Sequence, residues 1–220
     1  VAVHTAYRPL GLSGYHATAI AGIIRSTHAT YRGMAPACTL LGANAASAGE
    51  IDLEAATDWA VAQGASIVNM SMGMTDSADG ALHWSDIYYD YLVHSARVLF
   101  TKSAGNQAGP CGNGSGIVTS PCRGYNSLAV GCIDDLDTRD WSDDTMEICS
   151  SYADPETGTE KPELAAFGAN VLSTDNVSPW LANMGSGTSY AAPLAAAVAG
   201  LCIDRDPGLA DEPQALKAML

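Results

Sequence analysis

Short apolar runs alternate along the chain with longer segments in which apolar residues recur at helical spacing. The runs SIVNMSMG (66–73) and RVLFTKSAG (97–105) have the length and continuous apolar character of buried strands. Between such runs, the apolar residues from 51 to 60 repeat with the period of an α-helix. This alternation predicts an α/β fold of three layers, in which helices cover both faces of a mostly parallel, twisted sheet.

The strand-like and helix-like patterns of apolar residues predict the bounds of the individual elements. The expected helices are 15–27, 51–63, 85–96 and a last helix that begins at Ser189. The expected strands are 38–45, 66–73, 97–105, 127–133 and 170–174. No internal repeat or linker divides the sequence, so residues 1–220 are expected to form one domain.

Two of the expected strands end in turns that contain glycine. One ends at SMG (71–73) and the next at AGN (104–106). Glycine leaves the backbone bare, so that a ligand can approach it closely. Because ligands bind open parallel sheets at the carboxyl ends of the strands, this edge is the predicted site.

The charge of the chain excludes some classes of partner. The 220 residues include 24 acidic and 10 basic side chains, which give a net charge of −14 at pH 7. Such a surface repels phosphate backbones and anionic lipid, so nucleic acid is not an expected partner. The longest apolar stretch, 190–203, is interrupted by Pro193 and is too short to cross a bilayer, so no membrane span is expected.

The cysteines favour an oxidising compartment. Four of them lie between residues 111 and 149 in sequence rich in Gly and Asp, which predicts exposed loops and disulfides. Joining near neighbours predicts the pairs Cys111–Cys122 and Cys132–Cys149 in a secreted protein. The alternative is free thiols in a cytosolic enzyme. The spacing that is typical of zinc sites does not occur.

Four motifs stand in a fixed order: GYHATAIAGII around His16, VNMSMG around Ser71, KSAGNQAG around Asn106, and GSGTSYAAP around Ser189. This order resembles that of the subtilisin-like serine peptidases, the subtilase family. The resemblance continues through GMAPACTLLGANA (33–45), YNSLAVGCID (125–134) and KPELAAFGANVLST (161–174), the last of which resembles the lysine–proline loop before the nucleophile. It implies a subtilisin-like fold and serine endopeptidase activity.

Ser189 by itself has two interpretations. A serine at a helix start usually caps the helix by accepting a hydrogen bond from a free backbone N–H. The resemblance implies instead that Ser189 is a nucleophile, from which His16 removes a proton before returning it to the leaving amine. The amide of Asn106 and the backbone N–H of Ser189 would then bind the oxyanion of the tetrahedral intermediate.

The resemblance also implies how a protein or peptide substrate binds. The segment 71–73 would pair with the substrate backbone as an added strand, and together with the segment 103–105 it would wall the pocket for the side chain before the scissile bond. Small walls would admit a large apolar side chain. The expected substrate-binding residues are Ser71, Met72, Gly73, Ser103, Ala104 and Gly105.

One member of the family's triad has no counterpart here. The triad runs in the order Asp, His, Ser, but residues 1–15 contain no Asp or Glu. The expectation is therefore a catalytic domain that lacks its N-terminal, aspartate-bearing segment. A cleaved segment that stays associated would restore the triad, and a propeptide is a further expected partner.

The same residues bear on two alternatives to an active serine peptidase. Ala17 and Ala19 replace a usual glycine and a common histidine, which leaves open an inactive homologue that only binds peptides. The α/β-hydrolase esterases are excluded, because they need a histidine after the serine and none follows Ser189.

No cofactor is expected to be required. The acidic run 134–144 suggests a structural calcium ion, although a solvated loop is favoured because the EF-hand pattern is absent.

Overall fold

The computed structural model describes residues 5–7, 14–45, 49–73 and 80–220. The helices are α1 (Tyr15–Arg25), α2 (Glu50–Ala62), α3 (Trp84–Ala96), α4 (Thr188–Arg205) and α5 (Pro213–Met219). The strands are β1 (Thr5–Tyr7), β2 (Leu41–Ala43), β3 (Ile67–Met70), β4 (Leu99–Ser103), β5 (Leu128–Asp134), β6 (Thr145–Met146), β7 (Leu164–Phe167), β8 (Leu172–Thr174) and β9 (Leu181–Asn183). The four helices expected from the sequence are present, with ends that differ by one or two residues.

The main sheet is parallel through β3, β4, β5 and β7. Ile67 pairs with Leu99 across β3 and β4, and Val130 pairs with Leu164 across β5 and β7. The short strand β6 joins β5 antiparallel. A second parallel pair, β1 with β2, does not pair with β3 among the described strands. The strand ends at 71–73 and 104–106 therefore lie at one edge of a parallel sheet, as predicted.

Helices cover both faces of this sheet because successive residues of β4 point in opposite directions. Leu99 packs in a cluster with the buried alanines of α4 and with Leu216 of α5. Phe100 points the other way and stacks on Tyr89 of α3, with the two ring centroids 4.3 Å apart. The α/β arrangement with a mostly parallel sheet is confirmed. None of the helices in the described ranges is long and apolar enough to cross a membrane.

The segment 161–174 differs from its expected form. Its first half was expected to be a loop, but Leu164–Phe167 is the strand β7 of the main sheet. Its second half is a strand, as expected, but β8 pairs antiparallel with β9 in a separate hairpin. The run LAAF is short and lies between Pro162 and Gly168, two residues that usually mark turns. The run is nevertheless a strand, because it pairs with β5 in the main sheet.

The expected disulfide pairs are wrong. Cys111 is bonded to Cys149, and their Cα atoms are 5.4 Å apart. Cys122 and Cys132 are free thiols and fully buried, which also corrects the expectation that they lie in exposed loops. Cys132 lies on β5 and points into the core beneath α4. The fold brings together two loops that are 38 residues apart in sequence and separates the near neighbours.

We predict that peptide mapping without reductant will recover one fragment that joins Cys111 to Cys149. Cys122 and Cys132 should be alkylated only after unfolding, because burial raises the pKa of both thiols, that of Cys132 to about 12, and prevents access. A fragment that joins Cys111 to Cys122, or Cys132 to Cys149, would contradict this pairing. The control is the same digest after reduction.

A buried ion-pair cluster holds α5 against the sheet. Glu163 accepts hydrogen bonds from Lys161, at 2.6 Å, and from Lys217 of α5. Its second carboxylate oxygen accepts the backbone N–H of Ala129 at 2.8 Å. The side chain of Lys161 is only 1% exposed, so its charge depends on this one carboxylate and on the carbonyl of Ser127, 2.7 Å away.

Glu163→Gln should therefore lower the free energy of unfolding by about 3 kcal/mol, because it leaves two cations with a neutral partner in a mostly buried site. The matched control is Glu212→Gln. Glu212 pairs with Arg97 at a site where both side chains are more than half exposed, so we expect a loss of less than about 1 kcal/mol. Equal losses in urea titrations of the two variants would contradict the role of the buried cluster.

Candidate active site

Ser189 lies where the end of β3 meets the start of α4. It is the second residue of the helix, and the preceding cap position is Gly187, which provides no side-chain hydrogen bond. The Ser189 hydroxyl does not accept a helix N–H. It donates to the backbone carbonyl of Ser71, 3.1 Å away. The capping interpretation is therefore wrong, and the half-buried hydroxyl points towards the carboxyl edge of the sheet.

Asn106 is fixed beside Ser189 by Thr188. The side-chain oxygen of Asn106 accepts two hydrogen bonds, from the Thr188 backbone N–H at 3.0 Å and from the Thr188 hydroxyl at 3.1 Å. Since a backbone N–H can only donate, the atom that faces it must be the amide oxygen. The Asn106 NH₂ group is thereby turned away from Thr188, and a Cβ added to Gly187 would lie 3.4 Å from it.

Thr188 also receives a hydrogen bond from the strand side of the site. The backbone N–H of Gly105, just after β4, donates to the Thr188 hydroxyl at 3.2 Å. Thr188 is fully buried, so these bonds are shielded from water. The N–H of Ser189 has no acceptor among the described residues, as is usual in the first turn of a helix. Two N–H groups, from Ser189 and Asn106, are thus left available at the site.

His16 reaches the same region from α1. Its ring lies next to that of Tyr190, with centroids 5.6 Å apart and a tilt of 49°. The helix is held in place by β8, where Ser173 and Thr174 donate side-chain hydrogen bonds to the carbonyls of Ala19 and Thr18 at 2.8 and 2.7 Å. These bonds fasten α1, and with it His16, to β8.

The His16 ring makes no hydrogen bond to the Ser189 hydroxyl, and among the described residues no carboxylate bonds to it. Burial lowers the pKa of His16 below its ordinary value of 6.5, because a half-buried ring loses hydration of its charged form. The structure thus brings Ser189, Asn106 and His16 to one end of α4, without a formed proton relay.

The two segments expected to wall the substrate pocket, 71–73 and 103–105, differ in the hydrogen bonds of their main-chain groups. Gly105 accepts the N–H of Ser151, while Ala104 donates to Val130 and accepts from Thr119, at 2.8–2.9 Å. The main-chain groups of Met72 and Gly73, by contrast, have no partner in the described part of the chain, and both residues are exposed. Met72 and Gly73 therefore have main-chain groups with which another chain could pair, whereas the carbonyl of Ser71 already accepts the Ser189 hydroxyl.

The acidic run 134–144 forms local turns. Carboxylate oxygens of Asp134, Asp135 and Asp140 each accept a backbone N–H two residues further on, and Asp143 accepts the hydroxyl of Thr138. Calcium needs several oxygen ligands that converge on one point. No group of three or more His, Cys, Asp or Glu side chains in the described ranges is placed to hold a metal ion. The structural calcium ion stays a prediction.

Sequence reasoning missed two residues of this site. Thr188 was quoted only as part of the motif GSGTSYAAP, although its place directly before the serine was a usable signal. Thr119, whose side chain lies between the two wall segments, has no signal in the sequence. It is brought there by a turn inside the segment 111–149, where its N–H bonds to the carbonyl of Ala104.

Comparisons with known proteins identify the family of the chain. The family model of the subtilases, peptidase S8, matches residues 4–220. The serine protease AprX of Bacillus subtilis (strain 168) is 28% identical over 238 residues, which cover 93% of this chain and 51% of AprX. The halolysin-like extracellular serine protease Nep of Natrialba magadii is 32% identical over 179 residues, covering 80% of this chain and 28% of Nep. The chain thus spans about half or less of these relatives.

Solved structures give the same result for the fold. A cold adapted subtilisin-like serine proteinase superimposes with a TM-score of 0.66 at 26% identity, covering 93% of this chain and 66% of that protein. The patellamide maturation protease PatA superimposes with a TM-score of 0.75 at 22% identity, covering 99% of this chain and 78% of PatA. With a family model matched over nearly all of its length, the chain belongs to the subtilase family of serine proteases.

Proposed function

We propose that this chain is the catalytic part of a serine endopeptidase, in which Ser189 attacks the peptide carbonyl and His16 transfers the proton. The observation that carries the proposal is the position of Ser189 in the first turn of α4, where its own N–H and the Asn106 NH₂ group have no acceptor in the part of the chain that the structure describes. A serine hydroxyl in that place reaches a carbonyl carbon while both N–H groups reach its oxygen.

Catalysis would begin with a change in hydrogen bonding. The Ser189 hydroxyl now donates to the Ser71 carbonyl, and the proton must be directed to a nitrogen of His16 before attack. The lowered pKa keeps His16 neutral at pH 7, which is the form that accepts a proton. The negative charge that forms on the carbonyl oxygen would be stabilised by the helix dipole of α4 and by Asn106.

The substrate would bind as an added strand. The free main-chain groups of Met72 and Gly73 support pairing on the segment 71–73, whereas the backbone of Ala104 and Gly105 is already bonded within the chain. The segment 103–105 would therefore provide a wall rather than a pairing edge. The two segments would thus have different roles in substrate binding.

The triad aspartate would come from a segment outside residues 1–220. Each of β2 and β3 has an edge without a partner among the described strands, and a parallel strand between them would join the two sheets. In subtilisin, the well-studied member of this family, loss of the aspartate costs on the order of 10⁴ in turnover, so the segment is needed for full activity.

A propeptide or an associated N-terminal segment is proposed as a partner. The exposed face of α3 supports this proposal, because Trp84, Ile87 and Tyr91 are each more than half exposed and recur at helical spacing. Large apolar side chains in a row on one helix face often mark an interaction surface.

We further propose that the protein acts outside the cytoplasm. The relatives Nep of Natrialba magadii and Epr of Bacillus subtilis (strain 168) are named extracellular proteases. The bond between Cys111 and Cys149 supports the same location, because such bonds persist in oxidising compartments.

The test is labelling of the full-length protein, including its upstream segment, with a fluorophosphonate probe. We expect one labelled residue, Ser189, and no labelling of Ser189→Ala. The control Ser186→Ala removes a neighbouring, exposed hydroxyl and should leave labelling intact. Asn106→Ala should lower kcat by about 100- to 1000-fold, the range known for the same donor in subtilisin. A folded protein that is not labelled would favour the inactive, peptide-binding homologue.

The ring of His16 should titrate below pH 6.5 in the 220-residue chain, because burial disfavours its charged form. A lowered pKa in the folded state means that stability is complete above the unfolded value and declines as the pH falls below about 6.5. NMR titration of the ring protons, assigned with His16→Gln, measures the midpoint, and the urea-unfolded chain is the control. Adding the upstream segment should raise the midpoint, since a carboxylate beside His16 stabilises the imidazolium. An unchanged midpoint would contradict the proposed aspartate.

A further inference from the structure

The two wall segments, 71–73 and 103–105, each end in a glycine that touches the side chain of Thr119. A Cβ added to Gly73 would lie 2.6 Å from the Thr119 hydroxyl oxygen, and one added to Gly105 would lie 2.7 Å from its methyl carbon. Real Cβ atoms essentially never show separations below 3.0 Å, so not even a methyl group fits between Thr119 and either glycine. The threonine therefore fills the space between the two wall segments.

Hydrogen bonds hold the Thr119 side chain in this place. Its N–H donates to the carbonyl of Ala104 at 2.8 Å, and its hydroxyl donates to the same carbonyl at 3.3 Å. The hydroxyl also accepts a hydrogen bond from Nζ of Lys102 at 3.0 Å. Lys102 is fully buried, so a rotation of Thr119 would take an acceptor away from a buried ammonium group, which is unfavourable. The β-branched side chain has few rotamers to which it could turn.

The turn that carries Thr119 is itself fastened by buried hydrogen bonds. The carboxylate of Asp86 on α3 accepts the hydroxyl of Ser120 and, at 2.8 Å, the backbone N–H of Arg123. The guanidinium of Arg123 donates to the carbonyl of Val118 at 2.9 Å. All four residues are at most 2% exposed. The turn therefore cannot move away from the wall segments without breaking hydrogen bonds that water does not reach.

A large apolar side chain does not fit between the wall segments while Thr119 stays in place. The side chain of Leu or Phe would have to push the threonine and its turn aside, and overpacking of a tightly packed region is destabilising. The side chains of Gly, Ala and Ser need little or no room. Main-chain pairing with the segment 71–73 would hold such a substrate without a large side chain in the pocket.

We propose that this protease cleaves after a small residue, Gly, Ala or Ser, and that Thr119 is the residue that determines this specificity. The proposal rests on the proposed function, since it assigns the side chain before the scissile bond to the space between 71–73 and 103–105. The small walls alone suggested room for a large apolar side chain. Thr119, from a third segment, occupies that room.

The first test measures kcat/KM of the full-length protein on peptides that differ only in the residue before the scissile bond. We expect Ala to exceed Leu and Phe by about 10- to 100-fold, the range that corresponds to overpacking of a core. Thr119→Ala should raise kcat/KM for the Leu peptide by about tenfold or more, because it removes both atoms that lie closest to the glycines. A general loss of stability would not produce such a gain.

Two further variants control this test. Thr119→Ser keeps the hydroxyl that Lys102 needs and removes only the methyl group beside Gly105, so its gain on the Leu peptide should be smaller. Thr57→Ala removes another buried threonine, whose hydroxyl bonds within α2 and to Tyr89, and should keep the wild-type preference. A wild-type preference for Leu or Phe over Ala would overturn the proposal, whether or not the variants fold.

The second test separates the pocket from the chemistry. Peptides that end in Ala or Leu, labelled with a fluorophore, are bound to the full-length Ser189→Ala protein and followed by anisotropy. We expect the Ala peptide to bind about tenfold more tightly than the Leu peptide. Equal binding, or tighter binding of the Leu peptide, would contradict the filled pocket even if cleavage were found. Selective binding of the Ala peptide without any cleavage by the wild-type protein would contradict only the proposed function.

Discussion

Three hydrogen bonds of one buried threonine hold the site together. Thr188 receives the N–H of Gly105 on its hydroxyl and donates both its hydroxyl and its N–H to the oxygen of Asn106. These bonds join the start of α4 to the end of β4 around the buried side chain of Thr188, where an unpaired polar group is costly. The orientation of the Asn106 amide and the position of Ser189 both follow from them.

Packing of the other elements determines where the start of α4 meets the end of β4. Alanines along α4 let the helix lie close against β3, β4 and β5, and the small side chains keep its axis near the sheet. On the other edge, Ser173 and Thr174 of β8 fix α1 and with it His16. Each candidate catalytic group thus comes from a different element, and packing between elements sets the distances on which proton transfer depends.

The turn that carries Thr119 is held by contacts between residues that are far apart in sequence. Thr119 lies inside the segment 111–149, which the bond between Cys111 and Cys149 closes, and its N–H bonds to the carbonyl of Ala104. Ser151, just after Cys149, donates its N–H to the carbonyl of Gly105. The segment is therefore fastened to the end of β4, next to Asn106.

The sequence by itself determined most of the helices and strands and the family to which the chain belongs. Helical and strand periods over 15–27, 51–63, 85–96 and 97–105 are local properties, and the motifs around His16, Asn106 and Ser189 are contiguous in the chain. It failed where a contact joins distant residues: the strand β7, the partner of Cys111, and the place of Thr119. Such contacts depend on which surfaces pack together, and a short segment or a lone cysteine carries no record of its partner. Only the tertiary structure decided that Ser189 bonds to Ser71 rather than capping its helix, because that bond joins the end of β3 to the start of α4 across 118 residues of sequence.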